Sequence, residues 1–507
     1  MKRILGLAMA AMIAACNGVG DDLDGSGEQG GANANDRSSG DGDSERLETG
    51  AMAVSPTGDY IVARRNTTTL IVDVKSRSLV ELDLAAERFL FAKSKDVVYV
   101  VLPSRAGVVA LDLATTRELW RSTPIVAADA SMLLARLSDD DTTILLADRT
   151  RVLFLDAATG DVRGGAASGP GMNDLEVLPG GAHALVVGDT EWRDGGPHTP
   201  VSLVPLDGSA STTIDVPNCA APVAIVNGGT RALLSPTFCT ADAQARAQGW
   251  SNPDPVSVID IDPAKKTLSF RKNLPGFGPV ALVGDGRAVA YLDMKRLDAA
   301  MFDDKSQIPP ADAAQYHLMT IDPTTLAFDL HPIGDTLPRF APSKDGKSLL
   351  VDASVSVVRS EASATATLTL DATGLKAEVK AGAFGDPSGS LFGVFTLATH
   401  TYTPFQGPAA TLDRFVQQGD GARVYTLRRN GRGGDLFAID LAARASFDLG
   451  RSLRDIAILP DGKTLVLRVR LASTAEGHLR EQFCLSLDAQ TCTASIDYQS
   501  PIPMHDP

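Results

Sequence analysis

Residues 453–498 read LRDIAILPDGKTLVLRV, a polar insert, and then QFCLSLDAQTCTASIDY. Four short β-rich runs are separated by turn chemistry. Pro460, Asp461 and Gly462 form the first break, and the Leu-Asp-Ala-Gln corner around Asp488 forms the last. Pro presets one turn dihedral, Gly tolerates positive φ, and Asp bonds its own backbone, so these residues stop a strand for stated physical reasons. The unit is expected to be one four-stranded antiparallel sheet.

The same pattern recurs back to about residue 51. A tight turn follows an apolar run at Pro56-Thr57-Gly58, Gly180-Gly181, Gly228-Gly229, Asp285-Gly286, Asp345-Gly346, Asp420-Gly421 and Asp461-Gly462. An apolar run ends in Asp at Asp73, Asp112, Asp156, Asp260, Asp322, Asp440 and Asp488. Four strands per repeat at a period of roughly 40 to 50 residues predict an all-β propeller of four-stranded antiparallel blades over residues 51–500, with 501–507 as a tail. About nine repeat starts can be marked, and against the usual ceiling near eight blades this gives seven to nine, with eight as the single number. Aromatics at 5% against 44% hydrophobic residues suit many thin sheets better than one bulky core.

These marks resemble the repeats of bacterial envelope propellers, the surface-layer type with SPDG-like turns and the periplasmic translocation type, and more broadly WD-like repeats. VVALDLATTRELWRS (108–122) resembles the repeat of quinoprotein-type propellers and of the outer-membrane assembly lipoprotein. The resemblance is carried by turn residues and implies a fold. It also implies that Trp120 packs between blades rather than on a cofactor.

At the N-terminus, Lys2 and Arg3 precede an apolar run from Ile4 to Ala15, too short to span a bilayer and of the form of an export signal, 1–15. Ile13-Ala14-Ala15-Cys16 resembles the lipobox of bacterial lipoproteins, which implies acylation of Cys16 and a membrane partner through the anchor. Asn17 after the Cys implies the outer membrane by that family's sorting rule. Residues 16–50 are Gly, Asp, Ser and Asn with few apolar side chains, the composition of a tether. Asp22, Asp24, Ser26 and Gly27 echo a calcium loop, but Asn33 stands where the bidentate Glu belongs, so the solvated-linker reading is preferred.

The chemistry searches come back plain. No GxSxG, HExxH or P-loop signature is present, none of the seven histidines forms a metal-spaced pair, and no metal or cofactor is expected. The formal charge of −15 without a basic cluster argues against nucleic acid. Recurring acids at strand ends read better as turn caps than as a ring of metal ligands. Once Cys16 is set aside, Cys219 with Cys239 and Cys484 with Cys492 are candidate disulfides of an exported chain.

Residues 189–200, 236–255, 293–316 and part of 352–390 are long polar insertions between second and third strands of units four to seven. Within 338–408 two runs, ATLTLD and LFGVFTL, compete for the third strand. Strands alternate direction, so the insertions emerge on one face. That face is expected to take a protein or small-ligand partner, with Trp192, His198, Trp250 and Phe302 as aromatic or polar contacts. The leading expectation is a lipid-anchored binding or scaffold module of the envelope. An enzyme with its site over the channel (hydrolase, lyase or quinoprotein-like) and a structural surface-layer or adhesion protein are the alternatives.

Overall fold

The computed structural model describes residues 52–499, apart from single positions and stretches between strands; the longer of these are 124–133, 237–254, 353–363, 382–389, 408–414 and 472–479. The export signal, Cys16, the 16–50 segment and the tail therefore lie outside the described residues, as do Cys239 and Trp250.

Nine antiparallel sheets follow one another along the chain, covering 52–82, 88–121, 134–167, 174–216, 220–274, 277–334, 339–407, 415–453 and 455–499, each of four strands apart from a short fifth strand in 174–216. These are blades 1 to 9. The fold is an all-β propeller, and the count is nine rather than eight. The first strands of neighbouring blades lie side by side, as Met52–Val54 does with Asp455–Ile458 and Leu134–Leu137 with Asp174–Val177, so the first strand is innermost and the fourth outermost.

Burial follows that order. In blade 2 the second strand, Val97–Val101, is buried throughout, whereas the outer strand, Arg117–Arg121, is mostly exposed. A blade is covered on both faces by its neighbours, so its middle strands are continuous apolar runs rather than alternating ones. The core is correspondingly divided into nine clusters, each lying between two adjacent blades.

The ring closes where blade 9 meets blade 1, and it closes by packing. Both blades draw all four strands from consecutive sequence, and Ile61, Leu70 and Val72 of blade 1 share a cluster with Val466, Phe483 and Tyr498 of blade 9. Closure removes the free inner faces that two terminal blades would otherwise expose.

The corner acids are turn caps. Asp73 Oδ1 accepts from the Lys75 and Ser76 amides, Asp156 Oδ1 from Ala158 and Thr159, Asp322 Oδ1 from Thr324 and Thr325, and Asp440 Oδ1 from Ala442 and Ala443. In blade 5 the cap is Asp262, which accepts from the Lys265 amide, while Asp260 two residues earlier pairs with Arg231 and Arg271. The mark read at Asp260 thus falls two residues before the corner of that unit. Trp120 does pack between blades: its Nε1 donates to Ala157 O of blade 3 at 3.2 Å. A Cβ on Gly160, at φ +78, would sit 2.4 Å from its ring.

Candidate functional site

The two faces of the ring are built differently. On one face lie the turns between first and second strands and the corners between third and fourth. There, adjacent blades touch through backbone. A Cβ on Gly58 of blade 1 would come within 2.9 Å of Pro460 of blade 9, and the Gly419 amide of blade 8 donates to Gly462 O. Asp141 Oδ2 of blade 3 accepts from the Lys93 and Ser94 amides of blade 2 at 2.7 and 2.8 Å. On the other face lie the connections between second and third strands and those from blade to blade.

All four insertions leave from that second face; those of blades 5 to 7 have the expected boundaries, whereas in blade 4 the third strand begins at Gly196, before the expected end at 200. The second strands of blades 4 to 7 end at Val187, Pro236, Asp293 and Asp352, and the third begin at Gly196, Val256, Tyr316 and Ser390. In blade 7 the third strand is Ser390–Thr396, and the rival run forms a separate hairpin, Ala364–Asp371 with Gly374–Ala381, inside the insertion. In blade 4 a short strand, Glu191–Arg193, folds back on the start of Gly196–Pro205, so the sheet extends outward as a finger.

Trp192 sits on this finger, half-buried between exposed Glu191 and Arg193, and His198, opposite Glu191 in the register, is half-buried as well. Arg193 pairs with Asp215 of the outer strand and steadies the finger's base. Trp250 lies outside the described residues, and so does Cys239, the candidate partner of buried Cys219.

Phe302 is a correction. It is 2% exposed, packed edge-to-face on Phe328 at 5.8 Å in the cluster between blades 5 and 6. Met294, Leu297 and Ile308 pack on the same cluster, so the 293–316 insertion folds down onto the blades instead of displaying its aromatic. Four apolar residues spaced through a polar loop were the signal in the sequence. Packing them on the blades removes their apolar surface from water and holds the loop down. Short 3-10 turns, capped by Asp293 and Asp304, carry the chain between those anchors.

The inner rim of the same face carries a set of charged residues that repeat marks do not reveal. Arg88, Asp174 and Asp455 occupy equivalent places on the first strands of blades 2, 4 and 9, paired with Val101, Val187 and Arg468. Arg136 and Glu176 are equivalent two residues further in, on blades 3 and 4. Arg136 donates to Glu176 Oε1 at 2.8 Å and lies 3.7 Å from Asp174 Oδ1. Burial pushes the Glu176 carboxyl up against the pull of Arg136, and burial likewise raises Glu87. Arg88 is moved down, by burial and then by Arg136 beside it.

Across the closure the polar groups are more deeply sealed. Arg468 donates to Glu481 Oε2 and to Arg64 O of blade 1, each at 2.9 Å, and Arg454 approaches Glu481 Oε1 at 3.3 Å. Arg65 pairs with Glu81 at 3.3 Å and donates to Tyr498 Oη, whose hydroxyl donates to Glu81 at 2.6 Å. The Cys484–Cys492 disulfide is present at the last corner of blade 9, with a Cα separation of 5.4 Å. Among the described residues no group of three His, Cys, Asp or Glu side chains is placed to hold a metal ion, and no helix is long and apolar enough to cross a membrane.

No protein-family model matches the chain, and no curated protein does. Among solved structures it is similar to the hydrazine synthase of Kuenenia stuttgartiensis, at 15% identity over 74% of this chain and 97% of that one, with a TM-score of 0.37. It is also similar to the dihydro-heme d1 dehydrogenase NirN in complex with DHE, at 12% identity over 81% and 75%, with a TM-score of 0.43. A eukaryotic initiation factor aligns at 11% identity over 80% and 97%, with a TM-score of 0.39.

Proposed function

We propose that this chain is a lipid-anchored propeller of the bacterial envelope, held at the outer membrane through Cys16, that binds a protein or small-molecule partner on its loop-rich face without catalysing a reaction. The observation that carries the reading is the asymmetry of the ring. One face is closed by contacts between tight turns, and the long second-to-third connections of four consecutive blades leave from the other, which also carries a charged inner rim. Variable segments on a rigid scaffold are where binding residues concentrate. The lipobox at 13–16 and the polar segment that follows support an anchored ring held clear of the bilayer.

Crosslinked envelopes carrying the full chain provide the test. Wild type should co-purify a reproducible partner, and Trp192→Ala with Trp250→Ala should abolish its capture without lowering the melting temperature by more than a degree or two. Loss of capture on changing the turn face instead would refute the site. Fatty-acid labelling that persists in Cys16→Ser would refute the anchor.

A further inference from the structure

Among the described residues of the inner rim, Arg88 is a cation that no carboxylate engages directly. Arg88 is half-buried at the entry of blade 2's first strand. Among the described residues its side chain makes no hydrogen bond or ion pair, whereas Arg136, Arg454 and Arg468 of the same rim are all engaged by carboxylates. None of the Arg88 nitrogens is sealed from solvent, so a ligand can reach them.

Two of the three neighbouring acids are already committed. Asp174 uses Oδ1 for the Leu175 amide and Arg136, and Oδ2 for the Val223 amide of blade 5. Glu176 is taken by Arg136. Glu87, the residue before the strand, feels the charges of both Arg88 and Arg64 but makes no hydrogen bond or ion pair with either among the described residues. A partly desolvated guanidinium with no acceptor lacks the interactions that compensate burial, and an incoming acceptor supplies them.

We propose that Arg88, with Arg136 behind it, is a carboxylate-binding position at the inner rim of the loop-rich face, and that its ligand is a small carboxylate of low net charge. The planar guanidinium matches a carboxylate through two parallel hydrogen bonds. Low net charge follows from the surroundings: Glu87, Asp174 and Glu176 stand close by, and the whole chain carries −15, so a polyanion meets repulsion that a monoanion or zwitterion largely escapes. The proposal rests on the loop-rich face being the binding face.

The test is calorimetric titration of the full chain with N-acetylglycine, glycine, citrate and inorganic phosphate. Saturable binding of N-acetylglycine or glycine is expected, with citrate and phosphate weaker. Arg88→Ala should weaken it at least tenfold, and Arg88→Lys, which keeps the charge and loses the planar fork, should also weaken it. Arg163→Ala, an exposed arginine on an outer strand, should bind as wild type does. Circular dichroism melts identify a variant that has failed to fold, and either Arg88 variant alone suffices to decide.

Wild-type affinity in a folded Arg88 variant, tighter binding of citrate or phosphate, or no carboxylate binding at all would overturn the proposal. Because these titrations use defined small molecules, their failure leaves partner capture through Trp192 standing. Conversely, failed capture beside an Arg88-dependent titration would discard only the wider reading.

Discussion

The turn face and the loop-rich face are made by the same strands, yet they are held by different physics. At the turn face neighbouring blades meet through their tight turns: Gly58 against Pro460, Gly419 against Gly462, and the Asp141 side chain on the Lys93 and Ser94 amides, with Lys93 and Asp139 as an exposed charge pair beside them. At the loop-rich face the contacts are made by buried charge, as in Arg468 with Glu481 and Arg136 with Glu176. Backbone contacts fix spacing and leave no room for insertion. Side-chain pairs hold strand ends together while leaving the chain between them free to vary in length, and the long insertions lie on this face.

The largest effect should come from the loop-rich side of the closure. Arg468 is 2% exposed and Glu481 fully buried, so Arg468→Ala leaves the buried carboxylate with Arg454 as its remaining ion-pair partner among the described residues and should cost about 3 kcal/mol in chemical denaturation. A loss under about 1 kcal/mol would mean that packing alone closes the ring. On the turn face, replacing Cys484 and Cys492 together by Ser opens a crosslink of sequence separation 8 and should cost about 2.5 kcal/mol by loop entropy. Equal stability of reduced and oxidised chains would show the corner is held by Asp488 and its amide bond from Thr491 without the bridge.

Gly58→Val should follow at about 2 kcal/mol, because a β-branched residue at φ +79 is strained and its Cβ meets Pro460. Gly286→Val, at φ +87 but with open space around its Cβ, isolates the dihedral part, and the difference measures how tightly the turn belt is closed.

The smallest effect is a pH step. His331 lies on the outer strand of blade 6, its ring 4.5 Å from that of His400 of blade 7, and its pKa is lowered to about 4 by burial first and then by His400, against Asp329 and with Arg287 and His317 adding to the shift. The folded chain keeps this imidazole neutral while the unfolded chain binds the proton near 6.5, so stability is full above that value and declines as pH falls toward about 4. Melts of wild type against His331→Phe over that window should show a step of a few degrees or less in wild type that the variant lacks. Parallel curves would place the acid sensitivity elsewhere.

Much of the fold was legible because its signals are local. Strand ends at Pro236, Asp293 and Asp352 coincide with the breaks in the sequence pattern, since Gly, Pro and Asp act on their own backbone. The nine sequence repeats correspond to nine blades; the reduction to eight came from the usual size of propellers and not from the residues. The third strand of blade 7 was ambiguous because ATLTLD and LFGVFTL have equal strand character, and only pairing with Ser348–Asp352 separates them.

The site was less legible. Trp192 and His198 stand on an insertion of the loop-rich face, but whether an aromatic in a loop points outward depends on what lies beneath it, and for Phe302 that is the cluster shared by blades 5 and 6. Arg88, Arg136 and Asp174 are separated by 38 to 48 residues or more in the chain, and nothing in their own neighbourhoods signals that they meet. The sequence by itself determined the strands, the turns, the repeat and the places where extra residues enter, because each rests on the dihedral preferences and apolar patterning of a few consecutive residues. The tertiary structure alone decided the ninth blade's closure on the first, the burial of Phe302 and the gathering of charges at the inner rim, because those depend on which blades become neighbours once the ring is complete.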